Sequence, residues 1–299
     1  MHIVSLEKAC YAELQAVGSK AYNLSKMIQH VSHIPTGFVL TSHALHSFLT
    51  FNQIEIKAED SNVIEKKIQS GTFPSVLQKE IVSSYVNIQG AGADVKAVAV
   101  RSSSALEDLE NASFAGQYET ILNVRNREEL LTSIKECWAS YFSSVVQAYA
   151  EDKEISLSNP QMGVLVQGMV EADVSGVIFS VNPITESEDE VVINVAYGLG
   201  EGIVSGGVTP DLFIIHKQTK SIVKELGLKE YKLVSGFTGI TKAVTTDKEK
   251  NEFSISDETA LQLLRLTNQV EQYCQYAVDI EFAIKNEHIY LLQVRPVTT

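Results

Sequence analysis

Leu24, Met27, Ile28 and Val31 recur at helical spacing behind a glycine turn and predict a helix over 18–31. Ile34-Pro35-Thr36-Gly37 is turn chemistry that leads into a short strand, Phe38 to Thr41. Helical patterns follow at 61–69 and 75–88, and Ala97 to Val100 is an apolar strand running into Arg101 and three serines. The longest amphipathic pattern predicts one helix over 127–150, with Leu130, Leu131, Ile134, Trp138, Phe142 and Val145 on its apolar stripe. Strands are expected near 162–170, 175–181, 190–197 and 211–216, and 221–254 holds turn residues with short strand-like pieces. Ser256 precedes a helix over 257–276, and a hairpin of 278–284 and 288–295 closes the chain. The mixture predicts an α+β domain over 1–299, in two lobes of about 1–180 and 181–299 with a cleft between them.

The closing hairpin carries the most chemistry. Alternation sends Ile280, Phe282 and Ile284 to one face and Asp279, Glu281 and Ala283 to the other. On the second strand Tyr290, Leu292 and Val294 share a face, opposite Leu291, Gln293 and Arg295. A three-residue loop, Asn286-Glu287-His288, makes the apolar face continuous. It pairs Ile280 with Val294, Phe282 with Leu292 and Ile284 with Tyr290. The same register sets Glu281 across from Gln293 and Asp279 across from Arg295. Glu281 and Gln293 offer hard oxygens that suit Mg2+, and a guanidinium such as that of Arg295 holds phosphate in a fork. A solvated polar face with a cross-strand salt bridge is the competing explanation.

Composition narrows the partners. The formal charge of -13 over 299 residues disfavours nucleic acid. ATP is also an anion, so an acidic chain that binds it needs local Lys and Arg, and a divalent metal to bridge phosphates to carboxylates. No apolar run is long enough to span a bilayer, which predicts no membrane partner. The opening residues carry no secretory pattern, and Cys10, Cys137 and Cys274 show no metal spacing, so a reduced cytoplasmic setting is expected.

Three further stretches could hold an anion. Arg101 ends a strand and is followed by serines, then by Ala112-Ser113-Phe114-Ala115-Gly116-Gln117, whose small residues suit a phosphate-covering flap. Val17-Gly18-Ser19-Lys20 places a lysine at a helix start, without Walker spacing. Gly198-Leu199-Gly200-Glu201-Gly202 follows a strand. Singly, each reads better as an ordinary polar loop, a surface lysine or a turn.

Taken in order, these stretches together with Ser175-Gly176-Val177-Ile178-Phe179-Ser180, Thr209-Pro210-Asp211 and Gln293-Val294-Arg295-Pro296 form a denser pattern. The chain resembles the ATP-binding domain of the phosphoenolpyruvate synthase, pyruvate phosphate dikinase and rifampicin phosphotransferase family over nearly its whole length. The resemblance implies an ATP-grasp-like fold with ATP in the cleft between two lobes. It implies phosphate contacts from Lys20 and Arg101, a nucleotide-covering loop with Gly116 and Thr120, and Gln167 near the base. Asp279 and Glu201 would also line the nucleotide site, Glu281 and Gln293 would bind the metal, and Arg295 would be the catalytic arginine. Ser19 stands where many members have a second glycine.

In that family ATP phosphorylates a histidine on a swivelling carrier domain. Thr41-Ser42-His43-Ala44 has the look of the carrier motif, but it directly follows Ile34-Pro35-Thr36-Gly37-Phe38, which belongs to the opening of the ATP domain. Nothing after Pro296 leaves room for a carrier. The expectation is therefore a Mg-ATP-binding phosphotransferase component that serves a carrier histidine and an acceptor-binding domain in trans. A nucleotide-binding sensor and a direct small-molecule kinase are the alternatives.

Overall fold

The computed structural model describes residues 1–56, 60–90, 95–109, 112–113 and 118–297. It divides into two compact units, 1–26 with 36–169, and 27–35 with 170–299. The sequence reading put the division near 180; here the chain changes unit after Met169. The short excursion 27–35 belongs with the second unit, where the His30 carbonyl accepts from Gln269 Nε2 (2.6 Å) and the His33 carbonyl from the Leu291 amide (2.9 Å).

The first unit is built on strands β1 (Ile3–Ser5), β2 (Gly37–Leu40), β3 (Val98–Ser104), β6 (Thr120–Val124) and β7 (Met162–Gly168), with β4 (Asp108–Leu109) and β5 (Ala112–Ser113) forming a separate two-residue pair. The five-stranded sheet runs β1-β2-β7-β3-β6 and every neighbouring pair is antiparallel. Val98, Val100, Val164 and Val166 pack with residues of the helices Ser42–Phe51, Ser61–Ser70, Ser75–Gly90, Arg127–Ser140 and Ser144–Asp152 in one core. Phe48, Phe73 and Trp138 meet inside it at centroid separations of 5.1–5.6 Å.

Two expectations change in this unit. Residues 42–51, given no element from sequence, are a helix, because Ala44, Leu45, Phe48 and Leu49 recur at helical spacing and are all buried. The single helix expected over 127–150 is two. Ser143 caps the second, its hydroxyl accepting from the Val146 amide (3.3 Å), and the break turns Val145 out of the stripe to 59% exposure.

The second unit holds β8 (Val174–Phe179), β9 (Glu190–Tyr197), β10 (Asp211–His216), β11 (Ile222–Glu225), β12 (Tyr231–Ser235), β13 (Ile240–Val244), β14 (Val278–Lys285) and β15 (His288–Pro296). Its main sheet runs β11-β10-β9-β8-β14-β15, again wholly antiparallel, and the helix Asp257–Cys274 buries Ala260, Leu263, Leu264, Thr267 and Val270. Ser256 caps that helix as expected, accepting from the Thr259 amide (3.1 Å). The ambiguous stretch 221–254 resolves into β11, the β12–β13 hairpin and a short helix, Asp247–Asn251, closed by a Thr246/Glu249 capping box.

The last hairpin corrects the expected loop. The turn has two residues, Asn286 and Glu287, between the pair Lys285–His288, and both have positive φ (48° and 66°), as a type I′ turn requires. Phe282 therefore pairs with Leu291, not Leu292, and Ile284 with Ile289, not Tyr290. A β-bulge then restores the register, so that Ile280–Val294, Glu281–Gln293 and Asp279–Arg295 are paired as expected. Strict alternation implies an unbroken ladder; the bulge lets Leu291 and Val294 both reach the core, where each is fully buried. Because Glu287 holds a conformation that suits glycine, Glu287→Gly should raise stability by about 0.5–1 kcal/mol, measurable as a higher urea midpoint.

Candidate functional site

In the first unit the chemistry gathers on the sheet face opposite the helical core. Alternation along β3 sends Val98 and Val100 to the core, and Ala99, Arg101 and Ser103 the other way. Register places Thr120 of β6 directly beside Arg101, Leu165 of β7 on its other side, and Gln167 beside Ala99. Arg101, Thr120 and Gln167 thus share one face. Gln167 is 2% exposed, and its Nε2 has no hydrogen-bond partner among the described residues. A buried amide donor in that state can be satisfied by a water or by a ligand acceptor.

Lys20 reaches the same strand end through close backbone packing. Gly18 has φ of +76°, and a Cβ there would lie 1.9 Å from the Ser103 carbonyl oxygen. Only glycine allows that approach. The next residues then dock on β3: Ser19 Oγ donates to the Ser104 carbonyl (3.0 Å) and the Ala21 amide to Ser103 Oγ (3.1 Å). Lys20 Nζ donates to the Ser102 carbonyl (3.2 Å) and is ion-paired with Glu107. Gly18→Ala should cost about 3 kcal/mol or more, since it forces both backbone strain and displacement of a strand; a chemical denaturation curve checks this.

The thiol under this strand is inert. Cys137 Sγ lies 3.7 Å from the Val100 carbonyl, and burial pushes its pKa up to about 12, outweighing the Ser102 hydroxyl and the charge of Lys20. It stays a neutral thiol at physiological pH and offers no nucleophile.

In the second unit Arg295 is pinned to Asp279. Its Nε and Nη2 both lie 2.7 Å from Asp279 Oδ2, and Asp279 is 4% exposed. Glu281 stands directly across from Gln293, which is 3% exposed. The polar face expected from sequence is therefore a partly buried array and not a solvated surface. Among the described residues no group of three or more His, Cys, Asp or Glu could hold a metal ion. The Glu281–Gln293 pair supplies two hard oxygens, which fits Mg2+, an ion that keeps several waters and shares substrate phosphates.

Glu201 opens the four-residue helix Glu201–Val204, after Gly198 (φ +82°), and so lies beyond β9 and not on the hairpin. Gly116 lies outside the described residues. His43 is an exposed residue in the first turn of the helix Ser42–Phe51.

Sequence reasoning gave no role to three buried charges, Glu107, Asp211 and Lys229. Glu107 carried no signal beyond its type. Asp211, in the Thr209-Pro210-Asp211 stretch, is wholly buried and ion-paired with Lys229 (1% exposed). It also accepts from the Gly227 amide (2.8 Å), the Ser254 amide (2.7 Å) and Ser254 Oγ (2.6 Å). Those partners are 16 to 43 residues away, beyond any local pattern.

The family model for the pyruvate phosphate dikinase AMP/ATP-binding domain matches residues 14–299. Similar proteins include an uncharacterized phosphotransferase, YvkC, of Bacillus subtilis (strain 168), 45% identical over 95% of this chain and 34% of its own length. A probable phosphoenolpyruvate synthase of Methanocaldococcus jannaschii is 33% identical over 99% of this chain and 27% of its own. The chain thus spans about a third or less of these two relatives. Among solved structures, D-alanine–D-alanine ligase of Helicobacter pylori aligns over 72% of this chain and 46% of its own at 9% identity, with a TM-score of 0.32. No helix among the described residues is long and apolar enough to cross a membrane.

Proposed function

Because the chain belongs to the pyruvate phosphate dikinase AMP/ATP-binding domain family, we propose that it binds Mg-ATP in an ATP-grasp-like arrangement and acts as the ATP-using part of a dikinase-type phosphotransferase. The acceptor of the first phosphoryl group is a carrier histidine on a separate domain or subunit. One phosphoryl group goes to the histidine nitrogen and one to water as phosphate, and AMP leaves. The carrier then serves an acceptor-binding domain.

The observation that supports this best is the hairpin array. Asp279 fixes the Arg295 guanidinium, and two pairs along the ladder, on the same face, Glu281 stands across from Gln293. A scaffold has no use for a pair of metal-ligating side chains beside a clamped guanidinium, whereas phosphoryl transfer depends on positioning and charge neutralisation at that kind of site. Mg2+, when bound, would supply positive charge that neutralises the phosphates. Glu281 and Gln293 would hold it, Arg295 would orient phosphate oxygens, and Asp279 would hold Arg295 in place. On the first unit Lys20 and Arg101 supply cations for the phosphates, Thr120 lies beside Arg101, and the Gln167 amide offers a donor for the base. Gly116 and Glu201 are assigned to the nucleotide site by the family resemblance alone.

Product analysis tests the proposal. With labelled Mg-ATP, AMP and phosphate should appear only when a carrier-histidine protein is added. ADP made by this chain alone with a small acceptor would overturn the dikinase reading. Calorimetry that finds no ATP binding would overturn the nucleotide site itself.

A further inference from the structure

We propose that Glu107 is a positioning residue for Lys20, fixing which way the ammonium presents its remaining proton. The inference rests on the reading above that Lys20 meets nucleotide phosphate. Its basis is geometric. An ammonium has three N–H donors. One is given to the Ser102 carbonyl and a second to the Glu107 carboxylate, both from the end of β3 and the turn that follows it. The third has no partner among the described residues. The turn is held at its base, where the Glu107 amide donates to the Ser104 carbonyl (3.4 Å), the same carbonyl that accepts from Ser19 Oγ. Lys20 and Glu107 are therefore joined directly through their side chains, and their chain segments are tied a second time through Ser19 Oγ and the Glu107 amide on the Ser104 carbonyl.

Burial makes this arrangement consequential. The Lys20 side chain is 11% exposed and that of Glu107 is 2% exposed. A lysine in open water samples many rotamers and carries no fixed direction. Here two acceptors spaced along one strand end leave a single N–H to meet an incoming anion. The carboxylate also spares the ammonium an uncompensated charge before the anion arrives. Lys20 itself was singled out from sequence. Glu107 was not, because its role depends on an 87-residue separation that only the fold closes.

The test is a double-mutant cycle on the intact chain, with Mg-ATP binding read by calorimetry and folding by thermal melting. Glu107→Gln preserves size and an acceptor but removes the charge. It should weaken Mg-ATP binding roughly tenfold, the scale of a lost charge-assisted hydrogen bond. Lys20→Met should weaken it at least as much. If Glu107 acts through Lys20, adding Glu107→Gln to Lys20→Met changes affinity no further. Glu107→Asp, which keeps the charge one methylene short, should fall between Gln and the native residue. Equal tenfold losses in both backgrounds would overturn the proposal, as would an unchanged affinity in Glu107→Gln. Loss of cooperative melting in both the Gln and Asp variants would make Glu107 a folding residue and overturn it as well. Absence of binding by the unmodified protein would instead bring down the nucleotide reading on which it stands.

Discussion

Arg295→Lys should leave Mg-ATP affinity within about fivefold of the unmodified protein and lower phosphoryl transfer by about 10²–10³-fold, the scale of removing one preorganised donor. The two arginine nitrogens on Asp279 Oδ2 explain the direction. They hold the planar guanidinium in one orientation, so that, on the proposed reading, it would meet phosphate without a search. Lysine keeps the charge but has a single, freely rotating head, and cannot be pinned by the carboxylate and still present a fork. Ground-state attraction to the triphosphate therefore largely survives while transition-state alignment is lost. Turnover with a carrier-histidine protein, set beside calorimetry, separates the two. Unchanged turnover would remove Arg295 from the chemistry. Arg295→Ala should reduce turnover further, but it also strips the guanidinium from the buried Asp279, so lysine is the cleaner probe.

The largest expected stability effect lies away from the candidate site. Asp211→Ala should cost about 3–5 kcal/mol, because it leaves Lys229 as a charge in an interior with no counterion. Lys229 is 1% exposed, and the same carboxylate also gathers the Gly227 amide and both Ser254 donors. Deleting it strands several donors at once. Urea unfolding should show a lower midpoint at unchanged slope. Adding Lys229→Met to Asp211→Ala should recover part of the loss, since an apolar side chain then replaces the stranded ammonium. If the double variant proved as unstable as the single one, the cost would have to come from the lost amide bonds and not from the charge.

Much of the α+β architecture was legible along the chain. The helix after Ser256 and the strands β7 to β10 follow from hydrophobic period and capping chemistry, both of which are local. The helix Ser42–Phe51 carries the same helical period in Ala44, Leu45, Phe48 and Leu49, although no element is expected there from the sequence reading. The cross-strand pairs Asp279–Arg295 and Glu281–Gln293 were deduced correctly from the demand that apolar residues share a face. The loop supporting that deduction was not, because a β-bulge can reset register without leaving a mark in the alternation.

What the sequence determined by itself is whatever depends on near neighbours: element type, caps, the turn-forming stretches, and the charge types at the end of the last hairpin. The tertiary structure decided which distant residues meet. Gly18 lies against Ser103, Lys20 pairs with Glu107, Arg101 stands beside Thr120 on one strand face with Gln167, and Asp211 closes on Lys229 and Ser254. Each of these joins residues 18 to 87 positions apart. Periodicity carries no information across that distance. Side chains that far apart meet only when sheet register and burial have been fixed by the whole core, and it is burial that turns a lysine and a glutamate from solvated surface groups into a fixed ion pair.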